Sequence, residues 1–408
     1  MSTVYDAVVV GARCAGSPTA MLLARKGYRV LLVDKATFPS DTLSTHIVHP
    51  PGVAALKRWN LFDRLLATGI APIQKYAFNF GPFTLSGPFV PVDGNTVALC
   101  PRRTVLDKML ADAAVEAGAE LQEGFVVDEV LTENGAVVGI RGRAKGGGSI
   151  THRAKVVIGA DGLHSIVARA AKAERYHERP TISVSYYAYW SGLPTTHLEA
   201  FIRERRAFLV IPTHDGLTLN GVNWPRSEFE ANKSDPEGTI RRAWQQAPEF
   251  YERTHGAKLE SRIFGTGDLP NFFVKPFGPG WTLVGDAGYH KDPVTAQGIS
   301  DAFRDAEGMA EALDQAFSGK RSFDDALSEF QRVRDEHQMP NYEFTCQLAN
   351  LEEPPPPDLQ QLLGAINGNE EAMSQFVSTF AGIISPPNFF APENVERIFA
   401  HAKARGTV

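Results

Sequence analysis

Residues 5–34 read YDAVVVGARCAGSPTAMLLARKGYRVLLVD, and no other stretch limits the possible folds as tightly. An apolar, β-branched run ending in glycine predicts a strand buried on both faces of a parallel sheet. AGSPTAMLLARKGY follows with helical spacing at Ala20, Leu22 and Leu23 and closes on Gly27. RVLLVD is a second buried strand. Together they make one βαβ unit of about 30 residues. Between strand and helix lies Gly11-x-Arg13-x-x-Gly16, a dinucleotide-type turn with arginine at its middle position. Such a turn aims backbone N–H groups and a helix N-terminus at a pyrophosphate. Asp34 ends the second strand, where a carboxylate accepts from ribose hydroxyls. The same charge would repel a 2′-phosphate, so the expected ligand is FAD or NAD rather than NADP.

Two later stretches have matching chemistry. VVIGADGLHS carries Gly159, Asp161, Gly162 and Ser165, and GWTLVGDAGYHKDPVTAQGISDAFRDAE carries Gly285, Asp286, Pro293, Gln297 and Gly298. An aspartate after glycine, at the end of a buried strand, can accept from a polyol hydroxyl. The helix beginning near Gln297 presents its positive end to whatever lies above it. That suits a flavin edge that becomes negative on reduction.

The rest of the 408-residue chain divides by pattern. Residues 50–69 predict two short helices, and 76–100 alternate like antiparallel strands. Residues 180–224 are rich in β-formers and aromatics, and a helical tail follows the proline run at 352–357. The composition, 43% hydrophobic and 22% charged, is that of a globular protein. A net charge of −6 gives no reason to expect a nucleic-acid partner. Cys14, Cys100 and Cys346 are too few and scattered for a disulfide framework or a metal cluster, so no metal is expected. A reducing, cytoplasmic setting is the simplest reading. The first strand has no basic leader before it, and no run of 18 apolar residues predicts a membrane span. P-loop, G-x-S-x-G and H-E-x-x-H motifs are absent, as is a second dinucleotide turn.

The dinucleotide turn, GADG and GDA…P…QG in this order resemble the FAD-dependent monooxygenase superfamily with the para-hydroxybenzoate hydroxylase fold, over roughly residues 4–320. Geranylgeranyl reductases and flavin-dependent halogenases share that superfamily. The resemblance implies an α/β fold with a discontinuous Rossmann-like FAD-binding domain (1–75, 100–178 and 265–335). An antiparallel β-sheet substrate domain (76–99 and 179–264) and a helical C-terminal segment (336–408) complete it. It further implies bound FAD, NAD(P)H as transient co-substrate and O2, forming a monomer or homodimer. The reaction would oxygenate a largely apolar, aromatic or polyketide-like small molecule through a C4a-(hydro)peroxyflavin. Reduction of the geranylgeranyl-reductase type and halogenation are the alternatives.

Carried onto this sequence, the resemblance sets Gly11, Ala15 and Gly16 on the pyrophosphate, with Arg13 beside it, and Asp34 on the adenosine ribose. Arg103, in PRRTVLDKML, matches the family's Arg-x-x-Leu helix start and would meet a phosphate or the ribityl chain. Val127 falls where backbone meets adenine, Asp161 supports the cofactor, and Asp286 binds the ribityl chain. Pro293, Ala296, Gln297, Gly298 and Ile299 lie beside the isoalloxazine. The family's GDAAH reads GDAGY here, putting Tyr289 in place of histidine, and Thr295 replaces a frequent glycine. KDPV is closer to the halogenase and prenyl-reductase branch, yet the W-x-W-x-I-P signature of many halogenases is absent. The loop DTLSTHIVHPPG (41–52) brings Ser44, Thr45, His46 and His49 toward the flavin or substrate. His46 and Tyr289 are the catalytic candidates, with His49, Tyr187 and Tyr189 lining the substrate side. Strand alternation puts Tyr187 and Tyr189 on one face and Tyr186 and Ala188 on the other.

Overall fold

The first strand, Val4–Val10, is apolar on both sides because both sides are covered. In the computed structural model, which describes residues 4–406, its Ala7 and Val9 pack into one apolar cluster while Tyr5, Val8 and Val10 pack into another. It lies at the centre of an eight-stranded sheet. Val30–Asp34 and Ser149–Gly159 flank it in parallel, followed outward by Glu120–Glu123 on one side and Trp281–Leu283 on the other. Phe125–Glu133 and Ala136–Ala144 form an antiparallel hairpin joined to Ser149–Gly159. Helices Gly16–Arg25, Arg103–Glu116 and Gly298–Phe317 cover one face. The sheet is thus assembled from strands far apart in sequence, and its five parallel strands all end near the same edge.

A second eight-stranded sheet is built on Ser183–Ser191, Thr218–Pro225, Arg206–Pro212 and Leu198–Arg203. It is antiparallel except where Leu198–Arg203 meets Lys75–Asn79 in parallel. That strand arrives from a separate part of the chain, so no hairpin dictates its direction. Tyr187 and Tyr189 pack on one face and Tyr186, Ala188 and Trp190 on the other, as alternation predicts.

The helix Phe323–Ala349 packs on Gly298–Phe317 and runs unbroken through residues 335 and 336. Four helices follow: Pro357–Ile366, Glu370–Phe380, Pro386–Phe389 and Pro392–Ala404. Glu370–Phe380 lies against the strand Thr84–Pro88 so closely that a Cβ on Gly87 would sit 2.9 Å from the Ser374 nitrogen. This brings the C-terminal helices onto the second sheet, with Phe380 edge-on to Tyr76 and Phe78.

Candidate functional site

The three glycine motifs meet at the carboxyl ends of adjacent parallel strands. Gly11 has φ +104°, and a Cβ there would stand 2.4 Å from the carbonyl oxygen of Ala160. A Cβ on Gly16 would be 1.8 Å from the Gly11 oxygen, so no larger residue fits the turn. Gly285, at φ +59°, would bring its Cβ within 2.8 Å of the Ala15 Cβ. First motif therefore touches second and third. Beside this junction Asp286 is exposed, and no hydrogen bond or ion pair among the described residues involves it. Gly298 is also exposed, and a Cβ there would meet nothing within 4 Å. It opens a helix of 20 residues whose first-turn N–H groups lack intrahelical acceptors.

Asp34 Oδ2 accepts from the Ala12 N–H and Oδ1 from the Ala36 N–H, both at 2.7 Å. Its carboxylate stiffens the turn, and each oxygen keeps a lone pair for a ribose hydroxyl. Arg13 turns toward Asp107, Ser40 and Phe38. Its Nη1 donates to Asp107 Oδ2 at 2.5 Å, its Nη2 donates to Ser40 Oγ at 2.9 Å, and its guanidinium lies 5.3 Å from the Phe38 ring centre. Arg103 Nε reaches the other oxygen of the same carboxylate at 2.9 Å. Cys14 also points at that oxygen, and burial pushes its thiol pKa well up, so it stays protonated. Asp107, 0% exposed, was not singled out from sequence, although its i,i+4 spacing from Arg103 is a usable signal. Two arginines on one carboxylate leave a net positive charge beside the turn. Val127 sits half-buried at a bulge in Phe125–Glu133. Asp161 Oδ2 accepts from the Ile166 N–H at 2.6 Å and braces the GADG turn.

In the loop 41–52, His46 is fully buried at φ +64°, a strained conformation for a non-glycine residue. Its Nε2 is 2.7 Å from the Tyr189 hydroxyl, while its Nδ1 has no partner among the described residues. Burial, then the nearby Arg103 charge, push its pKa down to about 3, so the ring is neutral at physiological pH. Tyr187 stacks on Phe264 at 5.0 Å and donates to the Thr42 carbonyl at 3.1 Å. Arg102 lies 5.0 Å from the Tyr189 ring centre. His49 has a different setting from the one expected of a substrate contact. Its Nε2 lies 2.9 Å from the Thr295 carbonyl and its Nδ1 lies 2.9 Å from the Tyr76 hydroxyl. The Thr295 carbonyl requires hydrogen on Nε2, and burial, which pushes the pKa down to about 4, keeps the ring neutral, so Nδ1 accepts from the Tyr76 hydroxyl. His49 therefore ties the 293–298 loop to the second sheet, with no ring nitrogen left for a ligand.

Tyr289 is closed in by Phe273 and Tyr342, and its hydroxyl lacks a partner among the described residues. Burial holds that phenol protonated, with Lys291 Nζ 5.4 Å from its ring centre. In the loop itself, Pro293 is half-exposed, Ala296 adopts φ +53° and joins the apolar cluster of Tyr187 and Tyr189, and Ile299 turns into the core under the sheet. Gln297 is buried between Lys291 and the Phe380 carbonyl. Lys291 pairs with Asp301 at 2.8 Å; burial pulls the lysine pKa down. Asp305, buried below, accepts from the Gly285 N–H at 3.0 Å, and burial raises its pKa to about 7. No group of three or more His, Cys, Asp or Glu among the described residues could hold a metal ion.

Residues 4–344 match the FAD binding domain family, and the chain belongs to it, within the superfamily of flavin-dependent monooxygenases, geranylgeranyl reductases and halogenases. Digeranylgeranylglycerophospholipid reductase of Methanocella arvoryzae is 30% identical over 326 residues, covering 74% of this chain and 75% of that protein. The myxobacterial chondrochloren halogenase superposes with TM-score 0.78 at 23% identity, covering 98% of this chain and 96% of that one. PqsL of Pseudomonas aeruginosa, described as a probable FAD-dependent monooxygenase, does so with TM-score 0.70 at 19% identity, covering 93% and 98%. At these identities the two structures speak for the fold alone. The glycine cradle, the uncommitted Asp286 and the open helix start at Gly298 fit an FAD molecule laid along the strand ends.

Proposed function

We propose that this chain is an FAD-dependent monooxygenase, using NAD(P)H and O2 to oxygenate an apolar, aromatic small molecule. One observation carries the reading: His46, Tyr189 and Tyr187 face an apolar cluster that includes Ala296 of the loop assigned to the isoalloxazine. FAD, when bound, supplies the redox and oxygen-activating chemistry. The protein's part is to hold, shield and hydrogen-bond the substrate. The Tyr187–Phe264 stack offers a flat wall, and half-buried Phe80, Phe376, Leu348 and Ile383 continue it. His46 Nδ1 is the free polar atom there; the Tyr189 hydroxyl can donate to Nε2, and in that tautomer the neutral ring carries its hydrogen on Nδ1 and can donate it in a hydrogen bond to a substrate oxygen. Gly11, Ala15 and Gly16 are assigned to the pyrophosphate, Asp34 to the adenosine ribose, Val127 to the adenine edge and Asp286 to the ribityl chain. Pro293 and Ala296 to Ile299 are assigned to the flavin ring, its pyrimidine edge over the helix start. Arg13, Arg103 and Asp161 support these contacts indirectly. NAD(P)H docks transiently, since the chain has only one dinucleotide turn.

Oxygen dependence tests this reading. NAD(P)H consumption is screened against phenols and polycyclic aromatics under labelled O2, and products are weighed. One labelled oxygen atom per product is expected. Saturation of an alkene under anaerobic conditions would instead establish reduction, which the 30% identity to the Methanocella reductase favours. Product formation that requires chloride or bromide would establish halogenation.

A further inference from the structure

Beneath the 293–298 loop runs a continuous buried line of polar groups. Lys291, 7% exposed, has its Nζ 2.8 Å from Asp301 Oδ2 and donates to Gln297 Oε1 at 2.6 Å. The Gln297 amide donates from Nε2 to the Phe380 carbonyl at 2.9 Å. One end of the line stands on the helix Gly298–Phe317 and the other on the last residue of Glu370–Phe380. An ammonium group has only donors, so Lys291 dictates which way the Gln297 amide faces. The flipped amide would set NH2 against NH3+ and oxygen against oxygen, losing both hydrogen bonds. Between them stands Ala296, whose φ of +53° is strained for a residue with a Cβ and persists only if its neighbours hold it. Arg304 also reaches Asp301, at 3.1 Å, so that carboxylate keeps a counterion without Lys291.

We propose that Lys291 is a positioning residue for the cofactor: it clamps the Gln297 amide against the Phe380 carbonyl, and so couples FAD affinity to docking of the C-terminal helices. This rests on the chain's FAD-binding character alone and holds whichever reaction the flavin serves. By linkage, if docking of those helices favours FAD, FAD must favour their docking by the same factor.

The test uses full-length apoprotein of wild type, Lys291→Met and Gln297→Leu, titrated with FAD by fluorescence. Thermal unfolding of each apoprotein is recorded alongside, and trypsin cleavage within residues 357–404 is timed with and without FAD. Both variants are expected to bind FAD about tenfold more weakly, the equivalent of one hydrogen bond to a charged group. FAD should slow cleavage of the C-terminal helices in wild type and lose that effect in the variants. A lysine serving only core stability would lower the unfolding temperature and leave FAD-dependent protection intact. Wild-type affinity and protection in either folded variant overturns the proposal. Gln297→Leu keeps the Lys291–Asp301 pair, so it decides the matter if Lys291→Met does not fold. Wild type that binds no FAD would overturn the cofactor assignment itself, a different result from Lys291-independent binding.

Discussion

Asp107 shows how one residue can govern a site from beneath. It lies out of solvent between Arg13 and Arg103, and removing it would strand a buried guanidinium beside Cys14. Asp107→Ala should therefore cost about 3–5 kcal/mol in urea unfolding. Arg13, whose side chain is 24% exposed, contributes far less, so Arg13→Gly should keep FAD bound with a loss of about 1 kcal/mol. Apoprotein from Arg13→Gly at saturating FAD would show the arginine to be essential. Buried titrating groups add a pH signature. His46 and His49 titrate near 3 and 4 in the fold against about 6.5 in the unfolded chain. The native state therefore binds fewer protons in that window, and stability falls as pH drops through it. Asp305 works in the opposite sense. Its pKa near 7 means that the native state binds more protons, so its contribution is lost as pH rises from about 4 to 7. Urea midpoints across this range should show a shallower acid limb in His49→Gln and a shallower neutral decline in Asp305→Asn. Unchanged profiles in both would refute these assignments.

At the scale of elements, the glycine turn and the helix starting at Gly298 differ in how much they tolerate. A methyl at position 16 meets backbone at once, whereas one at position 298 meets open space. Gly16→Ala should give protein that neither retains FAD nor folds fully. Gly298→Ala should fold at least as well, gaining up to about 1 kcal/mol of helix propensity, yet weaken FAD by filling the space above the helix. Circular dichroism and FAD titration would separate the two effects. These elements were legible because their signals are local: the β-branched run, the glycines, and the helical spacing from about residue 297. His49 and Asp107 were not legible in the same way. The His49 partners Tyr76 and Thr295 lie 27 and 246 residues away, and Arg13 lies 94 residues from Asp107. Periodicity carries no trace of such pairings, so a loop histidine reads as a ligand until its ring nitrogens are seen to be taken.

Across the whole molecule, the C-terminal helices pack against the loop and the sheet proposed to form the site. Phe380 packs edge-on to His49, Tyr76 and Phe78, and its carbonyl holds Gln297. A chain truncated after Asn350 should lose that cover, expose the apolar face of the second sheet, and aggregate or bind FAD weakly; light scattering and FAD titration would show it. Order along the chain has a further consequence during synthesis. The central sheet starts at Val4 but gains the strand Trp281–Leu283 only much later, and Gly285 must then close on Ala15. At typical elongation rates of 5–20 residues per second, the glycine turn emerges tens of seconds before its third wall exists. Until then the nascent first half carries a half-covered apolar sheet, making it a natural client for chaperones that shield emerging chains. Ribosome-stalled chains ending at residue 260 should be degraded by added protease, and those ending near 350 should resist over the first sheet. Cofactor capture thus belongs to the last third of translation, however early its fingerprint is written.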